Sequence, residues 1–192
     1  DARYYAAKEV AWLFFNLEPG TEGYLDPMYM QAMREWVEGP GIGGEFEHSS
    51  VEVVNESASF YQLGAVIVPA SMDLSALTSE QIFVKIALDA SDLAQIMEEH
   101  ADRVAGWILE LPEGATSWLD FAEEVQPLTD LYHIILQYNA PAEEVKDVLS
   151  SVTPWGLGLT GGEEEAVGVK SFDEVEAVFE MMNNADSFFE IK

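Results

Sequence analysis

Apolar residues fall into short patterned stretches separated by glycine, proline and acidic clusters. Ala6, Val10, Leu13, Phe14 and Leu17 recur at helical spacing and Pro19-Gly20 stops them, which predicts a helix over 2–17. Asp26-Pro27 predicts the start of a second helix: a capping carboxylate precedes a proline whose missing N–H is harmless at the first helical position. That helix turns Met30, Met33 and Val37 inward and ends at Gly39-Pro40-Gly41. The period then changes. Val51 and Val53 alternate with Ser50 and Glu52, Asn55 to Ser57 supplies a turn, and Phe60 to Val68 is a nearly continuous β-prone run closed by Pro69. Together these predict a hairpin.

Ile82, Val84, Ile86 and Leu88 alternate as on a strand, although Thr78 and Gln81 have the spacing of a capping box. A strand is preferred, because a stronger helix follows at once. Ser91 caps it, Leu93, Ile96, Met97, His100, Val104, Trp107, Ile108 and Leu111 form one amphipathic stripe, and Pro112 ends it. Further helices are predicted over 118–125, 128–138 and 141–152, then a loop over 156–162 and a short strand at 167–169. Ser171 and Glu174 open a helix that turns Val175, Val178, Phe179 and Met182 inward, and 188–191 reads as a last strand. The sum is an α+β fold: a helix-rich single globular domain over 1–192 with a small, mainly antiparallel sheet. Its weakest points for subdivision lie near 112–116 and 153–163.

Composition supports folding. Apolar residues make up 48% of the 192 positions and aromatics 11%, spread from Tyr4 to Phe189, unlike a disordered acidic tail. With no cysteine there is no disulfide framework and no thiolate metal site, and a cytoplasmic location is expected. The longest apolar runs are far too short to cross a bilayer, and no stretch reads as a signal peptide.

Charge changes the picture most. Thirty-six acidic residues face eight basic ones, for a formal net charge of −28. The stretches 35–84 and 104–145 contain no lysine or arginine. Such a chain repels phosphate backbones and anionic membranes and attracts cationic partners over about 8–10 Å. Direct nucleic-acid binding and membrane binding are therefore not expected.

Candidate chemistry is thin. Gly156, Gly158 and Gly161 match a dinucleotide fingerprint, but Pro154-Trp155 precedes them and Glu163, Glu164 and Glu165 follow, where a pyrophosphate would sit. A loop is the better reading. His48, His100 and His133 have no metal-ligand spacing; His100 and His133 read as partly buried, hydrogen-bonded side chains and His48 as exposed. Of the five tryptophans, Trp155, between Pro154 and Gly156, is the candidate for an exposed contact and the other four read as core.

No catalytic residue, cofactor or metal site is assigned. The reading that follows is a non-enzymatic acidic binding protein, a nucleic-acid mimic or an inhibitor or immunity-type protein that occupies the basic cleft of a DNA- or RNA-handling partner. Its contact surface would use Glu110, Glu113, Asp120, Glu123, Glu124, Asp130, Glu143, Glu144, Trp155, Glu163, Glu164 and Glu165, and homo-oligomers are compatible with it. The alternative is a structural or accessory subunit. Salt adaptation would also explain the acidity, but glutamate exceeds aspartate and bulky apolar residues are abundant, which weighs against it.

Overall fold

The computed structural model describes residues 2–21, 23–161, 164–166, 169–170 and 172–189. Seven strands form one sheet in chain order: β1 (Trp12–Asn16), β2 (Gly41–Glu45), β3 (Ala65–Pro69), β4 (Ile82–Ala87), β5 (Gly106–Glu110), β6 (Ile134–Gln137) and β7 (Gly156–Gly158). The β1·β2, β2·β3, β3·β4 and β6·β7 ladders are parallel. Helices α1 (Ala2–Ala7), α2 (Pro27–Arg34), α3 (Val51–Phe60), α4 (Leu93–His100), α5 (Ala122–Thr129), α6 (Val145–Val152) and α7 (Asp173–Phe189) alternate with them. The expected small antiparallel sheet is thus incorrect. Among the described residues, antiparallel pairing joins only the short β8 (Glu164–Ala166) and β9 (Val169–Lys170).

The physical reason is burial on both faces. A strand covered on both sides is apolar throughout and loses the alternation that marks a half-exposed strand. Ala65 to Val68 are all buried, as are Gly106 to Leu109. Gly106 to Glu110 is a strand and not the end of the preceding helix, whose spacing Trp107 and Ile108 happen to continue; that helix ends at His100. In the same way Trp12 to Asn16 is a strand rather than the end of a long helix. Residues 134–137 form β6 where a helix was expected, and 156–158 form β7 where a loop was expected. The predicted hairpin fails for the opposite reason. Val51 to Phe60 is helical, with Val54 and Ala58 buried four residues apart and Val53 41% exposed. Phe188 lies in α7, and the rest of the expected last strand, 190–191, is outside the described residues, as is Val167 of the strand expected at 167–169.

The chain divides into two compact units, residues 1–86 with 92–107, and residues 87–91 with 108–192. In the first, Asp26 caps α2 by accepting from the Met28 amide, and Met30 and Val54 are fully buried. Trp12, Phe14 and Phe83 pack on one face of the sheet, with ring centroids 5.5–6.0 Å apart. Gly41 and Gly43 make room for this cluster. A Cβ on Gly41 would lie 2.4 Å from the Trp12 ring, and one on Gly43 would lie 2.3 Å from the Phe14 ring.

In the second unit Leu109, Trp118, Val125, Ile134, Leu136, Val145, Val148 and Val152 are fully buried. The Trp118 indole N–H donates to the Gln137 carbonyl, so the largest buried side chain of this unit is also hydrogen-bonded. Among the described residues no helix is long and apolar enough to cross a membrane.

Candidate active site at the carboxyl ends of the strands

In a parallel sheet flanked by helices, ligands bind beyond the carboxyl ends of the strands, where loops of variable sequence meet a rigid frame. In the first unit the registers Asn16↔Glu45, Glu45↔Ile67, Ile67↔Phe83 and Pro69↔Lys85 put Asn16, Glu45 and Lys85 on the face that carries the aromatic cluster, at its carboxyl-terminal edge. There the Lys85 ammonium donates to Glu45 Oε1. The two side chains are 27% and 34% exposed, so water reaches both. Lys85 is the one Lys or Arg carried by the seven strands.

The loops around this pair are tied down. Asn16 donates from its amide to Thr21 Oγ1 at 2.8 Å and accepts from the Glu18 amide at 2.9 Å. Glu18, only 7% exposed, accepts from the backbone amides of Glu47 and His48 and from Ser49 Oγ, all at 2.9 Å. Burial pushes its carboxyl up, but the hydrogen bonds from His48, Glu47 and Ser49 outweigh burial and hold it below the ordinary 4.5. Glu18 therefore fastens the loop after β1 to the loop after β2.

The second unit has its own polar edge. Gln137, the last residue of β6, donates to the Gly158 carbonyl at 3.3 Å and to Thr160 Oγ1 at 3.0 Å. The Tyr138 hydroxyl donates to the Pro141 carbonyl. Burial, with Glu144 and Glu143 nearby, pushes its pKa up to about 12. Glu110 ends β5. Among the described residues no cluster of three His, Asp or Glu side chains could hold a metal ion.

The residues expected to form an acidic contact surface are placed as follows. Glu110 is half-buried at a strand end, whereas Glu113, Asp120, Glu123, Glu124, Asp130 and Glu143 are exposed on loops and helix ends. Glu143 and Glu144 are near enough to Tyr138 to act on it electrostatically, and Glu144 accepts from Ser117 Oγ. Trp155 is 54% exposed, as expected, and stacks on His133 with centroids 4.8 Å apart. His133 is exposed rather than partly buried, and Trp36 is 66% exposed beneath the Arg3 guanidinium rather than in the core. Glu163 lies outside the described residues, and Glu164 and Glu165 belong to β8. Asn16, Glu45 and Lys85 were missed. The signal that could have found them is a polar residue near the end of a short apolar run, as in Trp-Leu-Phe-Phe-Asn and Phe-Val-Lys-Ile.

No protein-family model matches the chain, and no curated protein matches it. Solved structures do. Phosphoribosyl anthranilate isomerase from Thermotoga maritima superposes with a TM-score of 0.71 at 18% identity, covering 96% of this chain and 92% of that one. TrpF from Jonesia denitrificans gives 0.72 at 15% identity, covering 97% and 91%. The 3-hexulose-6-phosphate synthase from Salmonella typhimurium gives 0.68 at 11% identity, covering 93% and 89%. The reading as a non-enzymatic acidic binder, in its nucleic-acid-mimic and inhibitor or immunity-protein forms, rests on charge alone, and its alternative, a structural or accessory subunit, rests on no particular residue. Both are overturned by a parallel α/β architecture shared over nearly the whole chain with these enzymes. The chain has the fold of the α/β-barrel enzymes typified by phosphoribosyl anthranilate isomerase.

Proposed function

We propose that the chain is an α/β-barrel enzyme that moves a proton on a small phosphorylated sugar derivative, at a cytoplasmic site of action. The observation that carries this is the Glu45–Lys85 pair at the carboxyl ends of β2 and β4. A carboxylate and an ammonium in contact, both reachable from solvent, supply a proton acceptor and a cation for an anionic or carbonyl oxygen. The proteins of similar structure are named for substrates or products of this class, and one was solved with reduced 1-(o-carboxyphenylamino)-1-deoxyribulose 5-phosphate.

Net charge shapes the proposal. A molecule at −28 repels a phosphate at long range, so the local cation must hold it. In sequence the segment after β7 runs Gly161-Gly162-Glu163-Glu164-Glu165, which brings carboxylates rather than cations. Lys85 is therefore assigned the anionic or carbonyl oxygen, and Glu45, released from Lys85, accepts the proton.

Titration calorimetry with reduced 1-(o-carboxyphenylamino)-1-deoxyribulose 5-phosphate and a panel of pentose and hexose phosphates tests this. At least one ligand should bind, and Lys85→Met, with circular dichroism unchanged, should weaken it about 10- to 100-fold, the range for a hydrogen bond to a charged group. Glu45→Gln should leave binding within a few-fold and abolish turnover. No binding by any of these ligands, or equal affinity in Lys85→Met, contradicts the assignment.

A further inference from the structure

The contact between Glu45 and Lys85 sets a condition on any proton transfer at this site. Glu45 accepts a proton from a substrate only when it is released from the ammonium beside it. Lys85 cannot swing away as a unit, because its backbone is fixed in the sheet. It pairs with Pro69 in the β3·β4 ladder, and its carbonyl accepts from the Ala70 amide at 3.2 Å. As long as Lys85 is an ammonium, it competes with the substrate for the same carboxylate. A substrate that reacts with the lysine removes that competition.

The surroundings suit such a reaction. Phe83 stands two residues before Lys85 on the same face of β4 and is 1% exposed. The Phe14 ring lies 5.5 Å from that of Phe83, and Trp12 packs at 6.0 Å on the same face. Apolar surroundings disfavour separated charges. A ligand that displaces water over these rings therefore favours passage of the Lys85 proton along the existing hydrogen bond to Glu45. The result is an amine beside a carboxylic acid, and an uncharged lysine amine attacks carbonyl carbon. The seven strands carry no Ser, Thr, Cys, His or Tyr, so Lys85 is their one amine, hydroxyl or thiol nucleophile.

We infer that Lys85 holds its substrate covalently, as an imine with the open-chain carbonyl of a sugar phosphate. This rests on the proton-transfer reading above and narrows it, since Lys85 then engages the carbonyl and not the phosphate. The amine nitrogen bonds to the carbonyl carbon while the C=O electron pair moves onto oxygen. One N–H proton passes to that oxygen and gives a carbinolamine. The Glu45 carboxylic acid protonates the hydroxyl, the C–O bond breaks and one water leaves. A protonated imine and a Glu45 carboxylate remain, with the same total charge as the starting ammonium and carboxylate. The iminium draws electrons from the adjacent C–H bond, and Glu45 takes that proton to leave an enamine. Return of the proton and hydrolysis of the imine restore both residues.

The test traps the imine in the folded 192-residue chain. The chain is incubated with ribulose 5-phosphate and, separately, with each other sugar phosphate of the calorimetric panel that carries a free carbonyl. Sodium borohydride then reduces any imine to a secondary amine, and the digested chain is mapped by mass. The labelled peptide gains the mass of the ligand less one oxygen. Lys8, Lys146, Lys170 and Lys192 report unselective amine chemistry in the same sample. Lys85 should be labelled at least about tenfold more than any of them, as expected where a carbonyl is held beside its amine. Glu45→Gln should slow this labelling, and Lys85→Arg, which keeps the cation, should still bind ligand and lose the label. If the sugar phosphates that bind by calorimetry leave Lys85 unlabelled, or label it no more than Lys8 and Lys146, the imine is overturned and the proton-transfer site stands. Absence of binding by every ligand of the panel overturns both.

Discussion

Glu18 shows how much one side chain can organise. Its carboxylate accepts from two backbone amides and one hydroxyl of the loop after β2 while almost fully buried. Replacing it removes hydrogen bonds to a charged acceptor from donors that water can reach in part, and such bonds contribute about 1.5–3 kcal/mol each. Glu18→Ala should lower unfolding stability in urea by about 2–4 kcal/mol, and an unchanged midpoint would show that the loops hold without it. The pH dependence has a definite sign. The folded carboxyl is held below its ordinary 4.5, so its contribution is complete above that value and is lost as pH falls through the lower folded value. Glu18→Ala should therefore flatten the acid limb of stability against pH.

Tyr138 has the opposite sign. Its pKa is raised to about 12 by burial and by Glu144 and Glu143, so the stability it brings is complete below the ordinary 10.0 and lost as pH climbs towards 12. In absorbance titration of the folded chain, Tyr138→Phe should remove a component that titrates only near pH 12. If the variant leaves the alkaline end of the curve unchanged, the raised value belongs to another residue.

Among the elements, β2 depends most on small residues. Gly41 and Gly43 lie under Trp12 and Phe14, and a Cβ on Gly43 would also come within 3.0 Å of the Ala65 carbonyl oxygen. The ring can move but the β3 backbone resists, so Gly43→Ala should destabilise the chain by about 1–3 kcal/mol and alter the near-ultraviolet dichroism of the aromatic cluster. A neutral effect would mean that the sheet relaxes more freely than its packing indicates.

The same stretch shows why some elements were legible and others were not. Asp26-Pro27 marked α2 because a cap and an N-terminal proline are local chemistry, and Ile82 to Ala87 kept enough alternation to be read as β4. β2, written Gly-Ile-Gly-Gly-Glu, looks like a turn, because its glycines answer to Trp12 and Phe14 some thirty residues away. β5 reads as part of a helix because a run buried on both faces carries no period of its own, and β1 does so because its half-buried apolar residues continue the spacing of the helix before it. The candidate site was hidden for a related reason. Glu45 and Lys85 meet across forty residues only once β2, β3 and β4 align in parallel, and among thirty-six carboxylates nothing local singles out Glu45.

At the scale of the molecule, charge and fold carry different messages. A net charge of −28 governs repulsion and solubility, whereas the parallel α/β order governs where chemistry can occur. Self-repulsion should be visible directly. Raising sodium chloride from 0.1 to 1 M shortens the screening length from about 10 to about 3 Å. That should raise stability on the order of 1–2 kcal/mol, or Tm by about 2–8 °C, and a flat Tm would show the carboxylates already spaced to minimise repulsion.

An amide chemical-shift map of the labelled chain, titrated with reduced 1-(o-carboxyphenylamino)-1-deoxyribulose 5-phosphate, locates the ligand site. The perturbed amides should cluster at the carboxyl ends of the strands, around Asn16, Glu45, Ala70 and Lys85, and spare Gly64 and Gln81 at the opposite ends. Shifts centred on the amino ends, or scattered over the acidic helices, would contradict a substrate site built on Glu45 and Lys85.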